Sequence, residues 1–199
     1  MATVLVVLAP GAEEIETMAV GDILVRAGQQ VTVASTVAGL TVTGSRGLPL
    51  AAHTTLDAVL HAEGPDPDLV YLPGGMGSAL VCREDPRIQN LIGHRLAAQQ
   101  RLAIICASVT ALVPHGHGRG RRVTSYPGVR AQVEPHVGAW LDQAVVEDGC
   151  LVTSQGPGTA IALGLTLARL LAGAATAATV AAAMLVAVPG DRILASETA

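Results

Sequence analysis

Phenylalanine is absent from the 199 residues, and aromatic residues of all kinds make up only 2%. With 50% hydrophobic residues the core must be built from Val, Leu, Ile and Ala. Charge is scarce at 14%, and a formal net charge of −4 excludes the basic footprint of a nucleic-acid-binding protein. The one basic run, Arg119-Gly120-Arg121-Arg122, is short and reads as a solvated turn before a strand. Three cysteines, Cys82, Cys106 and Cys150, form neither a disulfide framework nor a closely spaced zinc pair. They fit a reducing compartment. The opening MATVLVVLAP lacks the basic region of a signal peptide, so it reads as a first strand and the protein as cytoplasmic. One uncharged stretch, 170–188, has the length of a membrane span. It consists mostly of Ala, Gly and Thr and is interrupted at Gly173. Two short helices packed on a sheet are expected there instead of a membrane anchor.

The pattern that is present alternates strands and helices. Residues 3–8 are a continuous apolar strand, 13–27 a helix closed by Gly28, and 31–35 a second strand. On that first helix Ile15, Met18, Ala19, Ile23 and Leu24 fall on one stripe, which predicts that Ile15 and Met18 face the core. A β-α-β opening implies parallel pairing through a right-handed crossover. Residues 40–50 read as a hairpin or excursion at the sheet edge, 53–57 as irregular, and 63–68 as a turn cluster. A strand at 69–72 ends in Pro73-Gly74-Gly75-Met76-Gly77, a turn. Asp85-Pro86 starts a helix to about residue 100, with Asp85 as N-cap. After a short strand near Val123, residues 144–147 and 150–153 read as a hairpin turning at Asp148-Gly149. Helices follow to about 172 and over 175–186. No repeat or linker divides the chain, so residues 1–199 are expected to form a single three-layer α/β sandwich with a mainly parallel central sheet.

The chemistry concentrates at residues 102–113, LAIICASVTALV. Leu102 to Ile105 read as a buried strand, Cys106 follows at once, and a short helix runs to Pro114. A strand turning into a helix at a nucleophilic residue is the layout of a nucleophile elbow. The free N–H groups of the helix start are expected to favour a thiolate. The same stretch, taken alone, also fits an inert buried cysteine. Ligands of open α/β sheets bind beyond the carboxyl ends of strands, and two other features lie at such ends. One is Glu13-Glu14-Ile15-Glu16, where Glu16 is placed to lean inward while Glu13 and Glu14 suit the helix dipole. A solvated helix charge fits Glu16 as well. The other is Gly74-Gly75, either a plain turn or a source of backbone amides for an oxyanion, paired with Ala107. His115 and His117 are too weak a signal for a metal site, and no metal or other cofactor is expected.

Together, LAPGAEEIET (8–17), LVRAG (24–28), SRG (45–47), YLPGGMG (71–77), AIICASVTALVPH (103–115) and TSQGPGTAIALGL (153–165) resemble the ThiJ/PfpI superfamily. The branch is that of the parkinsonism-associated protein deglycase and its bacterial chaperone-like relatives. The resemblance implies a flavodoxin-like sandwich, a homodimer, and Cys106 as the oxidisable thiol with Glu16 as its protonated partner. It implies that Gly75 and Ala107 line the pocket through their amides, and that Arg26 and Arg46 lie near the dimer boundary. The implied activities are cofactor-free conversion of methylglyoxal-like 2-oxoaldehydes to hydroxy acids, deglycation of early protein adducts, redox sensing, and holdase action on misfolded clients. An old family label adds a role in thiazole phosphate synthesis, for which no phosphate loop is present. Several positions depart from the family's patterns. Tyr126 stands where animal members carry a His, and a phenol, with a reference pKa of about 10, is a poor base. That substitution tilts the expectation toward sensor or chaperone. Gly44 and Ala51 replace the animal protein's peripheral cysteines. Ala107 replaces the His that follows the cysteine in protease-like members, which argues against proteolysis. A class I glutaminase is disfavoured too, because no His-x-Glu pair follows Cys106.

Overall fold

The computed structural model describes residues 1–186. The residues beyond 186, with the last part of the 170–188 stretch and of the expected 1–199 domain, lie outside the described residues. β1 (Thr3–Leu8) is aliphatic and buried on both faces, as a strand between two helical layers must be. The chain turns at Pro10 and Gly11 into α1 (Glu14–Arg26) and returns to β2 (Gln30–Ser35). β2 pairs parallel to β1, with Val4 opposite Val31 and Leu8 opposite Ser35.

The 40–50 region is a hairpin of β3 (Thr41–Thr43) and β4 (Pro49–Ala51), but it forms its own sheet and does not extend the central one. Val42 and Leu50 pack on Leu8 and Ala12, so the hairpin covers the carboxyl end of β1. The sheet edge belongs to β5 (Thr54–Thr55), followed by α2 (Leu56–Leu60). This stretch is regular where the sequence reads irregular, because Thr55 ends the strand and also caps the helix, accepting from Ala58 N at 3.2 Å.

β6 (Leu69–Leu72) leads into α3 (Met76–Glu84), a helix that the sequence, read as a turn over 73–77 and without an element over 78–84, does not predict. Glycines at 74, 75 and 77 carry the turn signal. The helix forms because Gly75, at φ 94°, redirects the chain and the next turn packs on the residues after Cys106. α4 (Pro86–Ala97) begins as the sequence predicts, with Asp85 accepting from Arg87 N at 2.9 Å, and stops three residues short of Gln100. β7 (Arg101–Ile105) precedes a 3-10 helix at Cys106–Leu112. β8 (Arg122–Val123), α5 (Arg130–Val133) and β9 (Ala139–Trp140) form a small excursion. The hairpin of β10 (Val145–Asp148) and β11 (Leu151–Ser154) leads to α6 (Ala160–Ala172) and α7 (Ala174–Ala183). Gly173, at φ 89°, separates these two helices. Among the described residues no helix is long and apolar enough to cross a membrane.

The central sheet runs β10-β11-β7-β6-β1-β2-β5, and only β10 is antiparallel to its neighbour. β1→β2 and β6→β7 step in opposite directions, so right-handed crossovers put their helices on opposite faces, giving three layers. α1 packs on α6 so closely that a Cβ on Gly164 would lie 2.6 Å from Ile23 Cδ1.

One sequence expectation is corrected here. Ile15 and Met18 do not face the core; they are 56% and 59% exposed. The buried face of α1 is instead Glu16, Thr17, Val20, Ile23 and Leu24. Helical periodicity finds apolar stripes, and this helix carries two. Val25 extends the outer one, at 57% exposure.

Candidate active site

Four adjacent strands, β11, β7, β6 and β1, deliver the site residues from their carboxyl ends. Cys106 follows β7 directly, is 7% exposed, and has φ 63°. Such a left-handed conformation is strained for a residue with a side chain, by roughly 1–3 kcal/mol, and it turns the thiol off the sheet. The surroundings hold it there. Ser108 Oγ donates to Pro73 O at 2.7 Å, tying the 3-10 helix to the end of β6, and Tyr126 N donates to Cys106 O at 3.3 Å.

Glu16 is fully buried on the inner face of α1. Its Oε2 accepts from Gly74 N at 2.7 Å, whereas its Oε1 has no hydrogen-bond partner. A Cβ on Gly156, the residue after β11, would stand 4.0 Å from both that Oε1 and the Cys106 sulfur. The free carboxyl oxygen and the thiol therefore border one small space, backed by Gly156. Glycine is required at 74, because a Cβ there would fall 2.4 Å from both Cys106 Cβ and Glu16 Oε2. At Gly75 the obstacle is Gly11 O, 2.1 Å from a Cβ.

Burial pushes Glu16 up to about 7, against the neighbouring Cys106 thiol and Gly74 amide, which lower it. Cys106 is pushed up to about 12, first by burial and then by the charge of Glu16. The amides of Gly75 and Ala107 act on the sulfur in the opposite sense. The amides thus act on the sulfur in the sense expected of the helix start, but they do not decide the net result. A buried 3-10 turn supplies donors, but desolvation and the carboxylate outweigh them. A thiolate at neutral pH needs Glu16 to keep its proton, which removes the carboxylate charge opposing it.

In front of the pair lies a cleft of about 480 Å³, lined among others by Glu13, Ser45, Arg46, Met76, Tyr126 and Pro157. Cys106, Ala107 and Gly75 form its floor. Gly74 and Glu16 sit behind them. Tyr126 borders the cleft at 46% exposure. Arg46 is at the mouth. Arg26 lies in the last turn of α1, pairs with Asp22 at 2.6 Å, and does not line this cleft. No histidine lines it, and among the described residues no group of three His, Cys, Asp or Glu could hold a metal. Cys82 and Cys150 are free, buried and outside the cleft; burial pushes the Cys82 thiol up to about 11.

Two contributors escape a reading of the sequence. Glu14 accepts from Ser45 Oγ at 3.0 Å and Arg46 N at 2.7 Å, which clamps the cleft-lining loop to α1. Burial works against its charge, but these donors and Leu48 N hold Glu14 below the ordinary carboxylate value. Glu13 caps α1, accepting from Glu16 N at 2.8 Å, and so orients the residue that carries the site carboxyl. Its acidic position at a helix start is the one local signal for that role.

Known proteins share this architecture and much of the sequence. The Drosophila melanogaster protein dj-1beta is 39% identical over 183 residues, covering 92% of this chain and 96% of its own. The glutathione-independent glyoxalase DJR-1.2 of Caenorhabditis elegans is 33% identical over 172 residues, 85% of this chain and 88% of its own. The crystal structure of Drosophila DJ-1beta superposes with a TM-score of 0.89 at 38% identity, covering 94% of this chain and 99% of that one. Oxidised DJ-1 of Toxoplasma gondii gives 0.87 at 33% identity, with 94% and 100% covered. The sequence pattern of the DJ-1/PfpI family matches residues 2–170, and with a flavodoxin-like sheet beneath it this chain belongs to that family.

Proposed function

We propose that the protein is a cysteine-dependent glyoxalase that converts small 2-oxoaldehydes, or their early adducts on protein amines, to hydroxy acids. The observation that carries this reading is the unpartnered Glu16 oxygen bordering the same space as the Cys106 sulfur, with the Gly75 and Ala107 amides acting on that sulfur. The glyoxalase name of the nematode relative lends support.

The Cys106 thiolate adds to the aldehyde carbon, forming a C–S bond, and the oxyanion takes the proton from Glu16. The Glu16 carboxylate then removes the hydrogen of that carbon, giving an enediolate, and returns it to the neighbouring carbon, while the hydroxyl proton of the hemithioacetal passes to the former ketone oxygen. The aldehyde carbon is oxidised and the ketone carbon reduced by the same two electrons, so the substrate is its own oxidant. Water hydrolyses the resulting thioester, releasing the 2-hydroxy acid and the thiol. A carboxyl group that titrates near 7 suits both halves of the transfer. The Gly75 and Ala107 amides hold the oxyanion. Arg46 at the cleft mouth offers a cation to the carboxylate product.

Lactate formation from methylglyoxal by wild type, Cys106→Ser and Glu16→Gln tests this. Turnover is expected in the wild type only, with losses of about 100-fold or more in Glu16→Gln. Unchanged turnover in Glu16→Gln would remove the proton-shuttle role.

Tyr126 in place of a basic residue favours a second reading, a redox sensor and holdase on the same site. Two peroxides would oxidise Cys106 to the sulfinate, releasing two waters, and a protonated Glu16 would donate to a sulfinate oxygen. No lactate in any variant, with a gain of two oxygens at Cys106 under peroxide, would establish this reading over the first. Under either reading the chain works as a homodimer in the cytoplasm, with no disulfide among its three cysteines.

A further inference from the structure

A second cavity opens beside the reaction cleft. It is a groove of about 220 Å³ between α3, the 3-10 helix after Cys106, and α5, and it shares Met76 and Ala107 with the cleft. Its walls are mainly apolar, formed by Met76, Ala79, Leu80, Ala107 and Val129, with Arg83, Thr110 and Gln132 among them. Met76 and Leu80 lie one turn apart on α3 and are 63% and 48% exposed. Arg83 follows one turn later. Its guanidinium meets Glu84 only at 3.6 Å, so the cation is not committed to a close partner. The cleft alone, at about 480 Å³, already falls in the range that buries ligands of drug size. Methylglyoxal, whose substituent is a single methyl, leaves nearly all of it and the whole groove empty.

We propose that the groove is a substrate subsite. It takes an extended apolar substituent on the ketone carbon of a 2-oxoaldehyde, with a terminal carboxylate directed to Arg83. This rests on the glyoxalase reading and names its substrate class: ω-carboxyalkyl 2-oxoaldehydes, ahead of methylglyoxal. Three observations converge on it. The groove adjoins the cleft at Met76 and at Ala107, the residue whose amide acts on the sulfur. Two of its apolar side chains, Met76 and Leu80, are exposed, over a base of buried Ala79, Ala107 and Val129. A cation with only a distant partner stands about 10 Å along the helix from Met76, at 1.5 Å rise per residue. Part of that span is covered by the Arg83 side chain itself, leaving room for about four to six methylenes.

The test compares methylglyoxal with a 2-oxoaldehyde carrying five methylenes and a carboxylate, and with the methyl ester of that compound. The variants are Leu80→Asp and Arg83→Gln, both outside the reaction cleft. The wild type is expected to favour the carboxylate over methylglyoxal by about tenfold or more in kcat/KM. Arg83→Gln should bring the carboxylate down to the level of the ester. Leu80→Asp should lower both long substrates and leave methylglyoxal unchanged.

A second measurement needs no turnover. The corresponding ω-carboxy methyl ketone, which lacks the aldehyde, should slow alkylation of Cys106 by iodoacetamide in the wild type and not in Leu80→Asp. Equal kcat/KM for long and short substrates, or protection that Leu80→Asp leaves intact, would overturn the subsite. Absence of turnover with every oxoaldehyde, with protection present and abolished by Leu80→Asp, would overturn the catalytic reading and uphold the groove as a ligand site.

Discussion

Glu16 shows what one buried carboxyl can do with two different oxygens. One is fixed by an amide, and the other faces a sulfur with nothing else to bond. The cost of charging such a group has a measurable sign. In the unfolded chain Glu16 gives up its proton near 4.5, whereas in the fold it holds on to about 7. Between those values the unfolded state binds fewer protons, so stability falls as pH rises through the window and levels off above it. Glu16→Gln abolishes that slope. Relative to wild type, the variant is expected to gain on the order of 3 kcal/mol on going from pH 4 to pH 8. Urea melts at the two pH values read it directly, and a constant difference would remove the assignment of a proton to folded Glu16. The neighbouring glycines make this closeness possible, since any side chain at Gly74 would part the carboxyl from the thiol.

At the scale of elements, the start of α1 assigns three carboxylates to three tasks. Glu13 caps the helix, Glu14 clamps the 44–48 loop, and Glu16 enters the site. Glu14→Ala removes the acceptor of three loop donors and is expected to cost about 2 kcal/mol. It should also speed proteolytic nicking near Ser45 without touching the thiol. Wild-type stability from this clamp is present above pH 4.5 and is lost as pH falls through the lowered value of folded Glu14. A protease time course and a thermal melt check the expectation. Much of the element order is legible in the sequence, because aliphatic runs such as Val4 to Leu8 and Leu102 to Ile105 have few alternatives to a buried strand. The elbow at Cys106 is legible for the same reason. The α3 helix is not, since its first turn is written in glycines. The Glu14 clamp is invisible too, because its partners lie more than 30 residues away. The outward stripe of α1 reads as core, because apolar periodicity does not say which of two faces a neighbour will cover.

For the whole molecule, we propose that the outward stripe is the surface through which two copies of the chain pair. Ile15, Met18 and Val25 are exposed along one side of α1, with exposed Leu48 on the adjoining loop and Arg46 beside it. A stable dimer hides about 800 Å² per subunit with an apolar centre. Met18→Asp is expected to convert a two-chain particle to a single chain in light scattering at micromolar concentration, with the fold retained by circular dichroism. A wild type that is already a single chain would refute the assignment. The strand order carries a last consequence. The residues of the site hang from four contiguous strands, β11, β7, β6 and β1, while β10, β2 and β5 make up the flanks. Amide exchange in such a sheet proceeds from its borders inward, the innermost strands opening only with the global transition. The margins can therefore fray as the molecule warms while thiol, carboxyl and amides stay aligned, and heat takes the chemistry and the fold away together.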